Sequence, residues 1–202
     1  LVRIVGGKWR RRNLDSSFKF NKQRKIRPTS DRVKENIFNV VENLRTGNPL
    51  KGAHVLDLFC GTGAMGLEAL SRGADFCHFI DNSREAKRLT LKNVRKVGAE
   101  QNSMFSLTDI LDLNQNDGVV SNLVFLDPPY GKNLGNLAIS LLLENDWVNG
   151  DTIFILEKEV NGLFSSELTI VDQRVYGGTE ILILKLENVL NPVDFGNSIQ
   201  ER

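Results

Sequence analysis

Between residues 50 and 187 the spacing of apolar positions switches repeatedly between two periods, and each switch marks an element. Short runs rich in Val, Leu, Ile and Phe fall at 54–59, 76–81, 103–108, 123–127 and 152–156, and read as buried strands. Between them, apolar residues return every three or four positions at 64–72, 84–97 and 134–144, which predicts helices with one buried face. Strand–helix alternation of this kind predicts an α/β fold with a doubly wound, parallel sheet. The end departs from it. Segments 168–175 and 180–186 are separated by little more than Gly177-Gly178, too short for a helical crossover, so a hairpin with an antiparallel last strand closes a seven-stranded sheet.

Upstream, the alternation of Val2 and Ile4, the pair Gly6-Gly7 and the segment 8–14 predict a β-arm or hairpin. Pro28-Thr29-Ser30-Asp31 then opens a helix, with Thr29 or Ser30 as N-cap. Val33, Ile37, Val40 or Val41, and Leu44 supply its buried stripe, and Gly47-Asn48-Pro49 ends it. The expected organisation is a basic arm and helix at 1–48, a core at 49–187 and a flexible polar tail at 188–202.

Charge sharpens that division. The formal net charge is only +1, yet residues 1–34 carry 12 Lys+Arg against 2 Asp+Glu. A basic arm on a mildly acidic body predicts a polyanionic partner. The arm's expected phosphate-binding residues are Arg3, Lys8, Arg10, Arg11, Arg12, Arg24, Lys25, Arg27, Thr29 and Arg32, with the interleaved Trp9 suited to stacking on a base or sugar. Two separate cysteines, Cys60 and Cys77, make no disulfide framework and suit a reducing cytoplasm. No apolar run reaches membrane-spanning length, and no signal segment is expected.

Two stretches carry chemistry. In the first, strand 54–59 runs into Gly61-x-Gly63-x-x-Gly66, a turn that lets a ligand lie against bare backbone at a helix N-terminus. It fits a dinucleotide and S-adenosylmethionine equally well; the closing hairpin leans toward the class I methyltransferase sheet. Asp57 could pair with an α-amino group or simply accept from the turn. Asp81, 20 residues after Gly61, suits two ribose hydroxyls. Asp109 suits an adenine amine or a helix cap. Phe59, Asn82 and Ile110 complete the expected cofactor set.

The second stretch is Asp127-Pro128-Pro129-Tyr130, directly after the fourth core strand. Two prolines remove two N–H donors, leaving the Asp127 carboxylate and the Pro128 carbonyl as acceptors beside an aromatic ring. That set suits a planar base with an exocyclic amine: each acceptor takes one N–H while the ring stacks on the base. Holding both hydrogens favours an sp3-like nitrogen with its lone pair free to attack. His54 and His78 stand in strands without partners at ligand spacing, so no metal site is expected.

These motifs occur in order with Arg3-Ile-Val-Gly-Gly7 and Arg27-Pro-Thr-Ser-Asp-Arg-Val-Lys-Glu-Asn-Ile-Phe-Asn39, and over residues 2 to about 187 the chain resembles the RsmD family. These are bacterial 16S rRNA guanine-N2 methyltransferases. The resemblance implies S-adenosylmethionine as cofactor, a cytoplasmic monomer without metal, and guanine 966 of the small subunit as target, in free rRNA or in an assembly particle. Asp127, Pro128, Pro129 and Tyr130 match its catalytic tetrapeptide, and Asp57 and Asp81 its cofactor acids. The family often has an amide where this chain has Asp109, and its arm usually reads Trp-x-Gly-Arg, where this chain has Arg11 for the glycine. Asp-Pro-Pro-Tyr also serves adenine-N6 methyltransferases, and a non-catalytic RNA-binding assembly factor would share the basic arm.

Overall fold

Strands buried on both faces build the centre of the molecule, seen in a computed structural model that describes residues 2–16, 30–45, 47–129, 134–160, 162, 164 and 167–186. The core sheet holds β3 (His54–Leu58), β4 (Phe76–Asp81), β5 (Ser103–Leu107), β6 (Leu123–Leu126), β7 (Ile153–Glu159), β8 (Leu168–Tyr176) and β9 (Thr179–Leu186), in the order β5-β4-β3-β6-β7-β9-β8. The first five run parallel; β9 is antiparallel to β7 and to β8, as the closing hairpin requires. Helices α2 (Ala64–Ser71), α3 (Arg84–Val97) and α4 (Leu134–Glu144) supply crossovers. Strand β7 runs three residues beyond the predicted 152–156, because it pairs with β9 as far as Glu159.

The two-residue period sorts the core cleanly. Val55, Cys77, Phe79, Leu123, Phe125, Ile153 and Ile155 face one layer, and Leu56, Leu58, Ile80, Val124, Leu126, Phe154 and Leu156 face the other. Each such side chain, fully buried, contributes about 1.5–3 kcal/mol. The second layer is closed by Ala138, Ile139 and Leu142 of α4. The first is closed by α2, α3 and the N-terminal elements.

Those elements are β1 (Val2–Arg3), β2 (Asn13–Leu14) and α1 (Asp31–Glu42). Ser30 caps α1 by accepting from the Val33 N–H at 3.3 Å. Ile37, Phe38 and Val41 are buried, so the stripe turns toward Phe38 and Val41 rather than Val40. Lys34, which the apolar pattern left outside, is buried as well: its Nζ donates to the Arg3 carbonyl and stands 3.9 Å from the Glu68 carboxylate. Burial lowers the pKa of this ammonium, and Glu68 opposes the shift. Glu68, on α2 and fully buried, accepts from the N–H groups of Val5 (2.8 Å) and Gly6 (2.7 Å) and from Arg72 Nε (2.8 Å). Arg72 in turn reaches Glu42 of α1 at 3.1 Å. One buried carboxylate therefore holds the arm, α1 and α2 together.

The arm pairs only Val2 with Leu14 and Arg3 with Asn13, so the strand expected over 8–14 shrinks to two residues. A single 3-10 turn at Gly7–Trp9 occupies the rest, followed by Arg11 at φ 70°. Arginine thus adopts the left-handed conformation that glycine would take at no cost. Trp9 is buried rather than displayed, which removes its ring as a stacking platform, and its backbone N–H donates to Ser71 Oγ at 2.9 Å. At the arm's exit Asn93 of α3 binds both the N–H (2.7 Å) and the carbonyl (3.0 Å) of Asp15. The expected tail at 188–202 lies outside the described residues.

Candidate active site

The glycine turn grows out of β3. Phe59, Gly61 and Gly63 have φ values of 58°, 54° and 73°, so the chain is left-handed at three of five positions. For Phe59, which has a Cβ, that conformation stores about 1–3 kcal/mol of strain, held in place by its surroundings. Four side chains hold the turn. Asp57, buried at the end of β3, accepts from the Gly66 N–H at 2.9 Å. Asp81 accepts from Gly61 N–H at 3.0 Å and, with its other oxygen, from Ser83 N–H at 2.8 Å. From α3, Thr90 Oγ1 donates to the Gly61 carbonyl at 3.1 Å and Asn93 Nδ2 to the Thr62 carbonyl at 2.9 Å. Neither Thr90 nor Asn93 stood among the expected site residues; the available signal was polar side chains at positions on the buried stripe of α3.

Gly66 does a different job. A Cβ there would lie 2.4 Å from Cys77 Sγ and 2.5 Å from the Phe79 ring, so this glycine serves helix–sheet contact and not ligand approach. Burial raises the Asp57 pKa to about 8, opposed by the Gly66 hydrogen bond and helped by the negative charge of Asp81.

Beside the turn a cleft is lined by Leu58, Phe59, Ile80, Asp81, Asn82, Thr108, Asp109 and Ile110. Five of the expected cofactor residues meet there: Phe59, Asp81, Asn82, Asp109 and Ile110. Asp109 takes the capping role as well, accepting from the Leu111 N–H at 3.1 Å and from Asn82 Nδ2 at 2.6 Å.

Asp127 follows β6, and register places it between the ends of β3 and β7. Asp127 is exposed, so water reaches this carboxyl at the strand ends. Desolvation there, then the charges of Glu157 and Asp57, push its pKa well above the ordinary range, with water at the rim tempering the shift. Pro128 is buried and Pro129 exposed; Tyr130 lies outside the described residues. Carboxylates from three adjacent strands thus converge on one mouth, where amine-bearing ligands are favoured.

The family model described as conserved hypothetical protein 95 matches residues 2–185 of this chain. Ribosomal RNA small subunit methyltransferase D of Escherichia coli is 36% identical over 80% of this chain and 77% of its own length. The chain belongs to the RsmD family. Haemophilus influenzae has a relative of the same name, 37% identical over 78% of this chain and 79% of that one. An Escherichia coli protein of solved structure, whose name proposes a methyltransferase, superposes with a TM-score of 0.77 at 32% identity, covering 92% of this chain and 98% of that one.

The RsmD-family chain is a methyltransferase. Its cleft suits S-adenosylmethionine on chemical grounds: apolar Phe59, Ile80 and Ile110 offer flat contact area, while the carboxylates of Asp81 and Asp109 offer acceptors for hydroxyl and amino groups. Among the described residues no cluster of His, Cys, Asp and Glu could hold a metal ion, and no helix is long and apolar enough to cross a membrane.

Of the arm cations of this RsmD-family chain, Lys8, Arg10, Arg11, Arg12 and Arg32 are not buried. Arg3 pairs with Asp31 at 2.5 Å, Lys8 Nζ stands 4.4 Å from the Trp9 ring centre, and Arg12 donates to the Lys96 carbonyl at 3.1 Å. Arg24, Lys25, Arg27 and Thr29 lie outside the described residues.

Proposed function

We propose that this enzyme methylates the exocyclic N2 amine of a guanine in 16S rRNA, guanine 966 by the family's convention, acting as a cytoplasmic monomer on the small subunit or its assembly particle. The observation that carries the reading is Asp127-Pro128 at the end of β6, one strand from the glycine turn. When bound, S-adenosylmethionine supplies an electrophilic methyl group on a sulfonium. Asp57 accepts from its α-ammonium. Asp81 accepts from the ribose hydroxyls with lone pairs left over from Gly61 and Ser83. Phe59 and Ile110 flank the adenine, with Asn82 and Asp109 at its edge and Gly61 and Gly63 along the methionine tail.

On the substrate side, the Asp127 carboxylate and Pro128 carbonyl each accept one amine hydrogen, Pro129 holds the turn, and Tyr130 stacks on the base. A carboxyl whose pKa is raised is, once ionised, a stronger base than an ordinary aspartate, which suits it to take the proton that the methylated nitrogen sheds. The arm's Arg3, Lys8, Arg10, Arg11, Arg12, Arg24, Lys25, Arg27, Thr29 and Arg32 contact phosphates.

Asp127→Ala removes an acceptor that acts on the reacting nitrogen, and should lower kcat by about 10²-fold or more. Cofactor affinity, measured by calorimetry, should stay within a few-fold. Survival of methyl transfer near the wild-type rate rules out this mechanism. Nucleoside analysis of rRNA treated with the enzyme reads the target: N2-methylguanosine supports it, N6-methyladenosine moves the site to the adenine alternative, and RNA binding without methylation leaves an assembly factor.

A further inference from the structure

We propose that the outward face of α3 is a second phosphate-binding surface, continuous with the arm, along which the RNA backbone runs; this rests on the RNA substrate proposed above. Residues 35–202 carry 14 Lys+Arg against 23 Asp+Glu, yet α3 alone holds six of those cations and one acid, Glu85. They are not scattered. Arg84, Arg88, Lys92, Arg95 and Lys96 are all exposed and, at about 100° per residue, fall within an arc of about 120°. The buried stripe of Ala86, Leu89, Thr90, Asn93, Val94 and Val97 occupies the opposite side.

Only part of this arrangement serves the fold: Asp15 pairs with Lys92 and Lys96, and Glu85 stands 3.8 Å from Arg88. Arg84–Arg88, Arg88–Lys92 and Lys92–Lys96 are three successive i,i+4 pairs of like charge, each unfavourable to the helix. Arg84 adds a cation at the helix N-terminus, against the dipole. Local rules broken together on an exposed face mark a surface kept for a partner, and the partner of clustered cations is a polyanion.

Geometry joins this face to the arm. Asp15 holds Lys92 with one oxygen and Lys96 with the other, both at 3.1 Å, and Arg12 reaches the Lys96 carbonyl at 3.1 Å. At its N-terminal end α3 starts beside Asp81 and Asn82, at the cofactor cleft. A strand of RNA laid from Arg10–Arg12 along α3 is therefore led toward the site.

The test is a full-length variant, Arg88→Gln/Lys92→Gln/Arg95→Gln, which keeps Lys96 on Asp15. Binding of transcribed 16S rRNA would be titrated from about 50 to about 200 mM salt. The slope of log affinity against log salt should fall by about 0.7–0.9 for each phosphate no longer neutralised, hence by about 2 overall. Affinity for S-adenosylhomocysteine and the thermal midpoint should hold, showing an intact fold. A slope change smaller than that of a single phosphate overturns the proposal. Wild-type methylation of rRNA with an unchanged variant slope counts against the α3 face alone, whereas no guanine methylation by the wild type counts against the proposed function itself.

Discussion

Two glycine pairs in this chain turn the backbone, and they do so for opposite reasons. Gly6-Gly7 closes against protein: a Cβ on Gly7 would stand 1.8 Å from the Ser71 carbonyl oxygen, and one on Gly6 would stand 2.4 Å from the Arg72 guanidinium carbon. Gly61-x-Gly63 opens beside a cleft, and a Cβ on Gly63 would meet first the Thr90 methyl, at 2.8 Å. Both pairs include left-handed residues, and in sequence both read as turn signals. The difference lies in what comes close. In one case it is the backbone of α2, which lets Glu68 gather the Val5 and Gly6 N–H groups; in the other it is the ends of two side chains, Thr90 and Phe79, behind the proposed cofactor turn. A glycine motif announces close approach and says nothing about its object.

Replacing each glycine separates the two. Gly7→Ala combines a left-handed alanine with a backbone clash and should cost about 3 kcal/mol of stability. Gly63→Ala puts a left-handed alanine 2.8 Å from the Thr90 methyl and 3.2 Å from the Phe79 ring, and should cost about 2 kcal/mol, with a clear loss of S-adenosylhomocysteine affinity that Gly7→Ala at permissive temperature lacks. Chemical denaturation paired with calorimetry reads both. Equal stability losses with no change in affinity would erase the contrast.

The ligand-side turn should also carry its own pH signature. Asp57 has a folded pKa of about 8 against an ordinary value near 3.8. The folded chain therefore keeps a proton that the unfolded chain has released. Stability falls as pH rises through the window from about 4 to about 8, and between pH 6 and pH 7 the loss is about 1 kcal/mol. Asp57→Asn, which keeps an oxygen for the Gly66 N–H, should remove this share of the slope and leave that of Asp127. Cofactor affinity in the wild type should rise over the same window, since an ammonium partner needs the carboxylate. A stability difference between wild type and Asp57→Asn that stays constant with pH there would show Asp57 ionised in the free protein.

The smallest effect lies in the arm. Arg11→Gly puts the favoured residue at φ 70° and should stabilise the chain by about 0.5–1 kcal/mol, leaving the core untouched. A loss of stability would mean that the Arg11 side chain contributes more than its backbone costs.

Periodicity carried the core well, because strands buried on both faces and helices with one apolar stripe leave strong patterns. Strand β4 and helices α3 and α4 match their predicted limits. The acids near strand ends were legible for the same reason: Asp81 and Asp127 are where an apolar run stops, and Asp57 interrupts one just before its end. What periodicity missed are polar groups whose meaning depends on a partner far along the chain. Lys34 counted as one more arm cation until Glu68, 34 residues away, was found beneath it. Trp9 next to arginines suggested stacking, whereas its N–H and ring belong to the interior. Thr90 and Asn93 looked like tolerated polar residues on a helix, and they are what fastens the cofactor turn.

Strand β8 at the sheet's edge shows how the assembly stops growing. Ile170, Val171 and Val175 face solvent there, which would make a flat edge adhesive to any passing strand. The register slips between Ile170 and Asp172, leaving Val171 without a partner in the ladder. Such a bulge bends the strand and coils it more tightly, so that its free amides and carbonyls no longer present a straight template. Asp172 and Arg174, paired at 2.8 Å on the same stretch, add charge where an eighth strand would have to desolvate it. The hairpin that completes the sheet thus also makes its own edge a poor template for a further strand.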